Sequence, residues 1–292
     1  MNRFLKLFLT FTVLLCLLCG TAGAQVYLEE EPPADWADRS LLRLTVFKTG
    51  ESDCMLLEAG GECMMVDGGI DKFRAELRDA LEARGISHFK YLFSTHPHDD
   101  HITGLRRLVQ FGFTADAFLS PFKENFRNDN QKKTVDILKK YQMPYQQVKD
   151  GDELTLGDAR IRVHRWDDGK TVNTMSAMLK ITFGDARLLL CADIIGETQH
   201  YFLKNLDADE LKADIVKAPH HGLTPFVTEF LDAVDPELIF ITNYKNATPK
   251  TVDQAVYRHL PYLHAASGTI VMETDGTDWY VRQTLKKFDP NE

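Results

Sequence analysis

Hydrophobic residues in this chain recur in two batches of short alternating runs, and each batch is followed by segments with a helical period. The first batch starts at Leu41 with LRLTVFK and CMLLE, turns at Gly60-Gly61 into CMMVDGG, and leads to the amphipathic segment 71–84. The second batch runs from ELTLG to ARLLLCAD and continues with helical segments between the strands ADIVKAP and ELIFITN. Alternation with period two predicts strands, and apolar spacings of three and four predict helices. The pattern therefore predicts an α/β fold in which two β-sheets pack face to face with helices outside.

The amino-terminal part of the chain does not share this pattern. Residues 1–24 begin with Arg3 and Lys6, continue with an apolar run and end in the small-residue site Ala-Gly-Ala. This order predicts a cleavable signal peptide and a secreted or extracytoplasmic protein, with an uncleaved anchor as the alternative. Residues 25–40 are acidic, contain two prolines and show no period, which predicts a linker or loose arm.

Composition narrows the classes of partner. The formal net charge of −9 becomes −11 when Arg3 and Lys6 are removed with the signal peptide. Because binding to polyanions depends on basic side chains, this acidity disfavours non-specific nucleic-acid binding. No stable membrane partner is expected, since no later segment reaches the roughly 18 apolar residues of a span. Cys54, Cys63 and Cys191 are expected to be free thiols, and the sequence leaves the oligomeric state open.

Candidate chemistry concentrates in the segment 94–104, STHPHDDHITG, which follows the strand-like run FKYLF. Pro97 interrupts regular backbone hydrogen bonding, so the cluster is expected on a loop at the end of a strand. Neutral imidazole and carboxylate are the ligands that zinc and similar divalent ions take. A solvated polar turn is the alternative, but it would not require His-x-His-x-Asp-His spacing. The segment therefore predicts a metal site.

The cluster HPHDDH resembles the signature of the metallo-β-lactamase fold. With its surroundings, the sequence is similar to the hydrolase domain of the ComEC competence protein and its secreted stand-alone relatives. The motifs that carry this resemblance stand in order: VFKTGESDC at 46–54, VDGG at 66–69, the cluster, Asn173-x-x-Ser176, LCAD at 190–193 and KAPHHG at 217–222. The resemblance implies a four-layer αββα hydrolase domain over residues 41–292. It also implies one or two divalent ions, zinc or manganese, and a phosphate-ester substrate that includes nucleic acid as an option.

A centre with two poles follows from the resemblance and from the strand-end positions of these residues. One pole would hold the imidazoles of His96, His98 and His220. The other pole would hold the Asp100 carboxylate and the His101 imidazole, and the Asp193 carboxylate would bridge the two. Two neighbouring cations need such a bridging carboxylate to screen their repulsion.

Other residues are assigned supporting roles. Asp100 would orient or deprotonate the attacking water. His221 and Lys217 would stabilise developing charge or protonate the leaving oxygen, with a structural role for each as the alternative. Asp67 would orient a histidine from behind the metal ligands. Three further residues are expected to line the pocket or bind substrate: Asp53, Asn173 and Ser176.

Two departures from the ComEC-like pattern affect these expectations. Thr248 stands where the family has a histidine before a proline, so the pole of Asp100 and His101 is expected to be one ligand short. Ser52 replaces the second glycine of the family's Gly-x-Gly-Asp motif. Either the second ion is weak and completed by water, or the protein uses one metal. A secreted phosphodiesterase is favoured, and the alternatives are an extracellular nuclease, a β-lactam or other acyl hydrolase, and a non-catalytic metal-binding protein.

Overall fold

The computed structural model describes residues 24–285, and within them the chain forms two sheets and seven α-helices. The strands are β1 (Val26–Leu28), β2 (Leu42–Val46), β3 (Cys54–Ala59), β4 (Glu62–Gly68), β5 (His88–Phe93), β6 (Thr114–Ser120), β7 (Tyr145–Gln147), β8 (Glu153–Leu156), β9 (Ala159–His164), β10 (Met178–Phe183), β11 (Ala186–Leu190), β12 (Ile215–Lys217), β13 (Leu238–Ile241), β14 (Tyr262–His264), β15 (Gly268–Thr274) and β16 (Trp279–Leu285). The helices are α1 (Arg74–Glu82), α2 (Asp99–Gln110), α3 (Asp129–Lys140), α4 (Gly196–Asn205), α5 (Ala208–Leu211), α6 (Thr228–Val234) and α7 (Pro249–Tyr257).

The strands divide between a nine-stranded and a seven-stranded sheet. The first has the spatial order β1-β16-β15-β2-β3-β4-β5-β6-β7, and the second has the order β14-β13-β12-β11-β10-β9-β8. In the first sheet β4, β5, β6 and β7 are parallel neighbours, and in the second β11, β12, β13 and β14 are parallel. Each sheet therefore has a parallel half whose strands end at one edge, and antiparallel strand pairs lie beside it.

Three hydrophobic clusters separate four layers. Inward-facing side chains of both sheets, such as Leu57 and Leu190, form the cluster between the sheets. Leu56, the neighbour of Leu57, points to the opposite face of β3 and packs with α1, α2 and α3, as the period of a strand requires. Helices α4 to α7 cover the second sheet in the same way, with Phe202 and Phe230 buried there. The predicted four-layer αββα sandwich is confirmed.

The amino-terminal arm differs from the prediction. Within residues 25–40, Val26–Leu28 forms a strand that pairs in parallel with β16, and Val26 N–H donates a hydrogen bond to Glu237 Oε2 at 2.9 Å. Three residues are too few to show a period in sequence, and this strand exists because the edge of β16 is available to it. The predicted signal peptide lies outside the described residues except for Ala24.

Two other observations complete the fold. Cys54, Cys63 and Cys191 are free thiols, as predicted. No helix between residues 24 and 285 has the length and apolar character needed to cross a membrane.

Candidate metal centre

The candidate centre lies where strands of both sheets end at one edge. Asp67 is the penultimate residue of β4, the histidine cluster follows β5, Asp193 follows β11, and the segment 219–222 follows β12. Because β4 and β5 are parallel, as are β11 and β12, their carboxyl ends lie on the same side of their sheets. Asp53 precedes β3, which is antiparallel to β4, so the start of β3 reaches the same edge.

One carboxylate, Asp193, connects the two groups of donors. Its Oδ1 lies 3.3 Å from His101 Nε2 and 3.4 Å from His221 Nε2. Its Oδ2 lies 3.5 Å from His96 Nε2 and 3.7 Å from His220 Nε2. The two oxygens of Asp193 therefore face different sets of imidazoles, which is the arrangement that a bridging carboxylate needs.

We name the first group the carboxylate pole: Asp100, His101 and His221 beside Asp193 Oδ1. Asp100 Oδ2 lies 3.1 Å from His221 Nε2 and 3.7 Å from His101 Nε2. The two imidazole Nε2 atoms of this pole are themselves 3.1 Å apart. Three side chains and Asp193 thus direct their donor atoms into one small volume.

We name the second group the imidazole pole: His96, His98 and His220 beside Asp193 Oδ2. His96 Nε2 lies 3.0 Å from His98 Nδ1. His220 is further from this pair, and the side-chain amide of Asn173 lies 3.4 Å from its Nε2. This pole is more open than the other, because the His220 side chain is 28% exposed and His98 is half-buried, whereas His101 is fully buried.

Left-handed backbone conformations position several of these residues. Asp67, Ala192, His220 and His221 have φ angles of 52°, 46°, 49° and 53°. Non-glycine residues rarely adopt this region, and each such residue costs about 1–3 kcal/mol. Two successive left-handed residues send the side chains of His220 and His221 to opposite poles, although they are adjacent in sequence.

A further set of hydrogen bonds fixes the ligand side chains from behind. Asp67 Oδ2 lies 2.8 Å from His101 Nδ1 and accepts a hydrogen bond from Thr95 Oγ1 at 2.7 Å. Asp53 Oδ1 lies 3.1 Å from His221 Nδ1 and accepts a hydrogen bond from Thr242 Oγ1 at 2.6 Å. Each histidine of the carboxylate pole therefore has a buried carboxylate on Nδ1, which leaves Nε2 directed at the centre.

The donor set fits a divalent ion at each pole. Two groups have ligand atoms within 4.8 Å of one another: Asp53, His101, Asp193 and His221; and His96, His98 and Asp193. Within the described residues, Asp193 Oδ1 is also a buried oxygen that accepts no hydrogen bond. A buried carboxylate oxygen without a donor is costly, and a cation bound between it and the neighbouring imidazoles would satisfy it.

Electrostatics differ between the poles. Burial lowers the pKa of His96 well below its usual value, and burial also lowers the pKa of His220. These two imidazoles are therefore neutral at pH 7, the state that binds a metal. Burial would also lower the pKa of His101 and of His221, but Asp193 and the carboxylate behind each ring raise it well above the usual value. The carboxylate pole thus holds protons when it holds no cation.

His221 lies in a different place from the one predicted. It was expected beside the centre, as a group that stabilises charge or donates a proton, and the Asp100 and His101 pole was expected to lack a ligand. Its Nε2 instead lies among Asp100, His101 and Asp193, so His221 fills the third position of that pole. Its 1% side-chain exposure also leaves little access for a substrate.

Lys217 also differs from its predicted catalytic role. Its Nζ is fully buried, lies 2.8 Å from Asp53 Oδ2, and donates hydrogen bonds to the carbonyl oxygens of Ala192 at 2.9 Å and Ala218 at 3.1 Å. The two carbonyl oxygens accept protons of the ammonium, and its charge pairs with the Asp53 carboxylate. Lys217 therefore supports Asp53 from behind and has no proton directed at a substrate.

Thr248 does not face the centre through its hydroxyl. It is 1% exposed, and its Oγ1 lies 3.1 Å from His264 Nε2. Burial and the charge of Lys245 lower the pKa of His264 to about 4, so this ring is neutral and pairs with the Thr248 hydroxyl. A Cβ added to Gly222 would lie 3.1 Å from Thr248 Cγ2, so the Thr248 side chain packs closely against the Gly222 backbone.

The remaining predicted residues lie at or beside the centre. Asn173 contacts His220, whereas the buried Ser176 donates its hydroxyl to the Asn173 carbonyl at 2.8 Å and shapes the loop. Sequence reasoning missed the hydroxyl groups that contact ring nitrogens and carboxylates: Thr95, Thr224 and Thr242. Thr242 directly follows β13 and Thr95 lies two residues after β5, and these strand-end positions are the signal that would have identified them.

A family model and several solved structures match this chain. The family model described as the metallo-beta-lactamase superfamily matches residues 48–242. No curated protein sequence matches the chain. The metallo-beta-lactamase fold protein YhfI from Bacillus subtilis aligns with a TM-score of 0.53 and 12% identity, over 81% of this chain and 100% of that one.

Two further solved structures align with this chain. A point mutant of CmlA beta-hydroxylase has a TM-score of 0.50 and 15% identity, over 84% of this chain and 54% of that one. This chain therefore spans about half the length of CmlA. A diphosphatase from the PhnP family has a TM-score of 0.45 and 17% identity, over 76% of this chain and 94% of that one. At these identities the likeness to YhfI and CmlA shows the fold alone.

Proposed function

The chain belongs to the metallo-beta-lactamase superfamily, and from that premise we propose that it is a secreted, metal-dependent phosphodiesterase. The observation that carries the proposal is the division of Asp193, whose Oδ1 faces one set of imidazoles and whose Oδ2 faces another. Such a carboxylate can bridge two cations held at a short separation. Paired cations of this kind suit an in-line displacement at phosphorus, in which both the attacking and the leaving oxygen carry charge.

A divalent ion bound at this centre would supply a nucleophile at neutral pH, because it lowers the pKa of a coordinated water from about 15.7 to about 7. The ligand assignments that we propose are His96, His98 and His220 at the imidazole pole, Asp100, His101 and His221 at the carboxylate pole, and Asp193 at both. Zinc and manganese both suit imidazole and carboxylate donors.

Asp100 is the acidic group that we assign to the attacking water. Its side chain is 25% exposed, whereas those of Asp53, Asp67 and Asp193 are at most 2% exposed. Burial alone would raise the pKa of Asp100, but the hydrogen bond from His221 and the charges of nearby histidines lower it to about 2. A carboxylate with so low a pKa orients a water by accepting its hydrogen bond, and is a weak acceptor of the proton itself.

A small or short phosphodiester is favoured over duplex DNA as substrate. The net charge of −9 leaves little basic surface, and the basic side chains of Arg127 and Lys132 line a 550 Å³ cavity together with Glu124 and Asp129. A mixed-charge surface of this kind gives little attraction for a phosphate backbone. An extracellular nuclease is therefore the second candidate. Secretion is supported by the pattern of residues 1–24.

The first experiment combines metal analysis with turnover of a generic phosphodiester such as bis(p-nitrophenyl) phosphate. We expect one to two zinc or manganese ions per chain, activity that a chelator removes, and a lower metal content with loss of activity in His98→Ala. The matched control is His200→Ala, which removes an exposed helical histidine. Unchanged metal content and turnover in His98→Ala would refute the proposed centre.

The same assay separates the two substrate classes. A protein that contacts several DNA phosphates loses about 10³–10⁵ in affinity between about 50 and 200 mM salt. We expect faster turnover of the small diester than of duplex DNA and a weak dependence on salt. DNA cleavage that is faster and falls steeply with salt, and again in Lys132→Ala, would favour the nuclease.

A further inference from the structure

The two poles differ in what stands behind their imidazoles. At the carboxylate pole, His101 Nδ1 lies 2.8 Å from Asp67 Oδ2, and His221 Nδ1 lies 3.1 Å from Asp53 Oδ1. At the imidazole pole, the corresponding partners are neutral hydroxyls. His96 Nδ1 lies 3.0 Å from Thr95 Oγ1, and His220 Nδ1 lies 3.0 Å from Thr224 Oγ1: each ring has a threonine instead of a carboxylate.

This difference changes the strength of the imidazole ligands. A carboxylate that accepts the Nδ1 proton increases the electron density at Nε2 and makes the ring a stronger donor to a cation. A threonine hydroxyl fixes the ring but carries no charge. Removing such an outer partner typically lowers metal affinity by about 10- to 100-fold.

The charges around the two poles also differ. Asp67 and Asp53 are fully buried beside the carboxylate pole, where Asp100 is a further carboxylate. The Lys217 ammonium opposes them and pairs directly with Asp53 at 2.8 Å. Apart from the shared Asp193, the imidazole pole has no carboxylate in contact with its rings among the described residues.

The histidine side chains of the carboxylate pole are also less exposed than those of the imidazole pole. His101 and His221 have side-chain exposures of 0% and 1%, whereas His220 is 28% exposed and His98 is half-buried. Charges in a buried site are screened less by water and salt, so the attraction for a cation is larger there. An ion at the more exposed pole can also exchange with solvent more readily.

We propose that the carboxylate pole is the high-affinity metal position of this protein, and that the imidazole pole fills second and exchanges faster. Asp67 and Asp53 establish this order through His101 and His221, and Lys217 acts as the positioning residue that pairs with Asp53 and holds it against His221. The proposal rests on the metal-dependent function proposed above. It reverses the expectation from sequence, in which the Asp100 and His101 pole was the weaker one.

The test is a titration of metal-free protein with Mn²⁺. Calorimetry measures the heat of binding, and the electron paramagnetic resonance signal measures the free Mn²⁺. We expect two steps that differ in affinity by at least about 10-fold, since one pole has the carboxylate partners and the other does not. His221→Ala should remove the tight step, and His98→Ala should leave it in place. A tight step that His98→Ala removes and His221→Ala leaves unchanged would overturn the proposal.

A matched pair of variants tests the residues behind the ligands. Asp53→Asn keeps the shape of the side chain and should weaken the tight step by about 10- to 100-fold, with the weak step nearly unchanged. Thr224→Val removes the hydroxyl behind His220 and should weaken the second step alone. If each variant weakened both binding steps equally, the groups behind the imidazoles would not distinguish the two poles. That result would overturn the proposed order of metal binding.

A double variant guards against a folding defect. In Asp53→Asn the ammonium of Lys217 is left buried without a counter-charge, so Asp53→Asn/Lys217→Met removes both charges together and serves as the second test. We expect it to fold and to show the same weakened tight step; a tight step of wild-type affinity would overturn the role of Asp53. Ordered binding without phosphodiester turnover would refute the proposed function alone, and turnover with reversed order would refute this inference alone.

Discussion

Gly104→Ala should displace the helix that carries the histidine cluster, because that helix touches β4 without any intervening side chain. A Cβ at position 104 would lie 1.7 Å from the carbonyl oxygen of Gly68, and backbone atoms cannot rotate away as a side chain does. Gly104 N–H also donates a hydrogen bond to Gly69 O at 3.0 Å. Helix α2 therefore sits directly on the end of β4, three residues beyond His101.

The size of the effect follows from that distance. Ordinary contacts of a Cβ begin at 3.4 Å, so α2 would have to move by about 1.7 Å from Gly68 O. Overpacking a buried position costs about 1–3 kcal/mol, and a backbone clash belongs at the upper end. About 3 kcal/mol corresponds to a loss of roughly 6–12 °C in melting temperature for a domain of this size. A shift of that size also moves His101 away from Asp193 and His221.

The assay is thermal unfolding of Gly104→Ala with metal titration on the folded protein. Gly196→Ala is the control, because a Cβ there meets only Val227 Cγ2 at an ordinary 3.7 Å. Replacing glycine by alanine without a clash stabilises a protein by about 0.4–1 kcal/mol. We expect Gly104→Ala to lose both stability and metal affinity and Gly196→Ala to lose neither. Equal melting temperatures and metal affinities in the two variants would contradict the direct contact between α2 and β4.

Two further predictions concern the pH dependence of metal affinity and the position of Thr248. Because neighbouring carboxylates raise the pKa of His101 and His221 well above about 6.5, metal binding must release protons, so affinity should fall as pH decreases. Calorimetry in buffers of different ionisation enthalpy checks this, and affinity constant between about pH 6 and 8 would contradict it. Thr248→His should add no metal, since His221 already completes the carboxylate pole, and should destabilise the buried position next to His264 by about 1–3 kcal/mol. Metal analysis and thermal unfolding measure both effects, and a gain of one ion would show that residue 248 reaches the centre.

The spacing of hydrophobic residues alone predicted much of the fold. Leu56 and Leu57 alternate between two clusters as a strand requires, and the amphipathic segment 71–84 contains α1. Strand β1 could not be predicted in this way, because three residues show no period and pair only with an edge that β16 provides. Local pattern is sufficient where an element buries a continuous face, and insufficient where a neighbour creates the element.

The candidate metal centre was likewise predicted in part from the sequence and determined in part by the tertiary structure. By itself, the sequence determined the type of ligand and the strand ends that carry them, because His-x-His-x-Asp-His is a local spacing and Asp193 follows an apolar run. Only the tertiary structure decided how the two oxygens of Asp193 divide the histidines. Spacing could not show that the adjacent His220 and His221 face opposite poles, because that depends on two left-handed residues. Nor could it show that Lys217 is fully buried against Asp53, since residues so far apart in sequence meet only when both sheets pack.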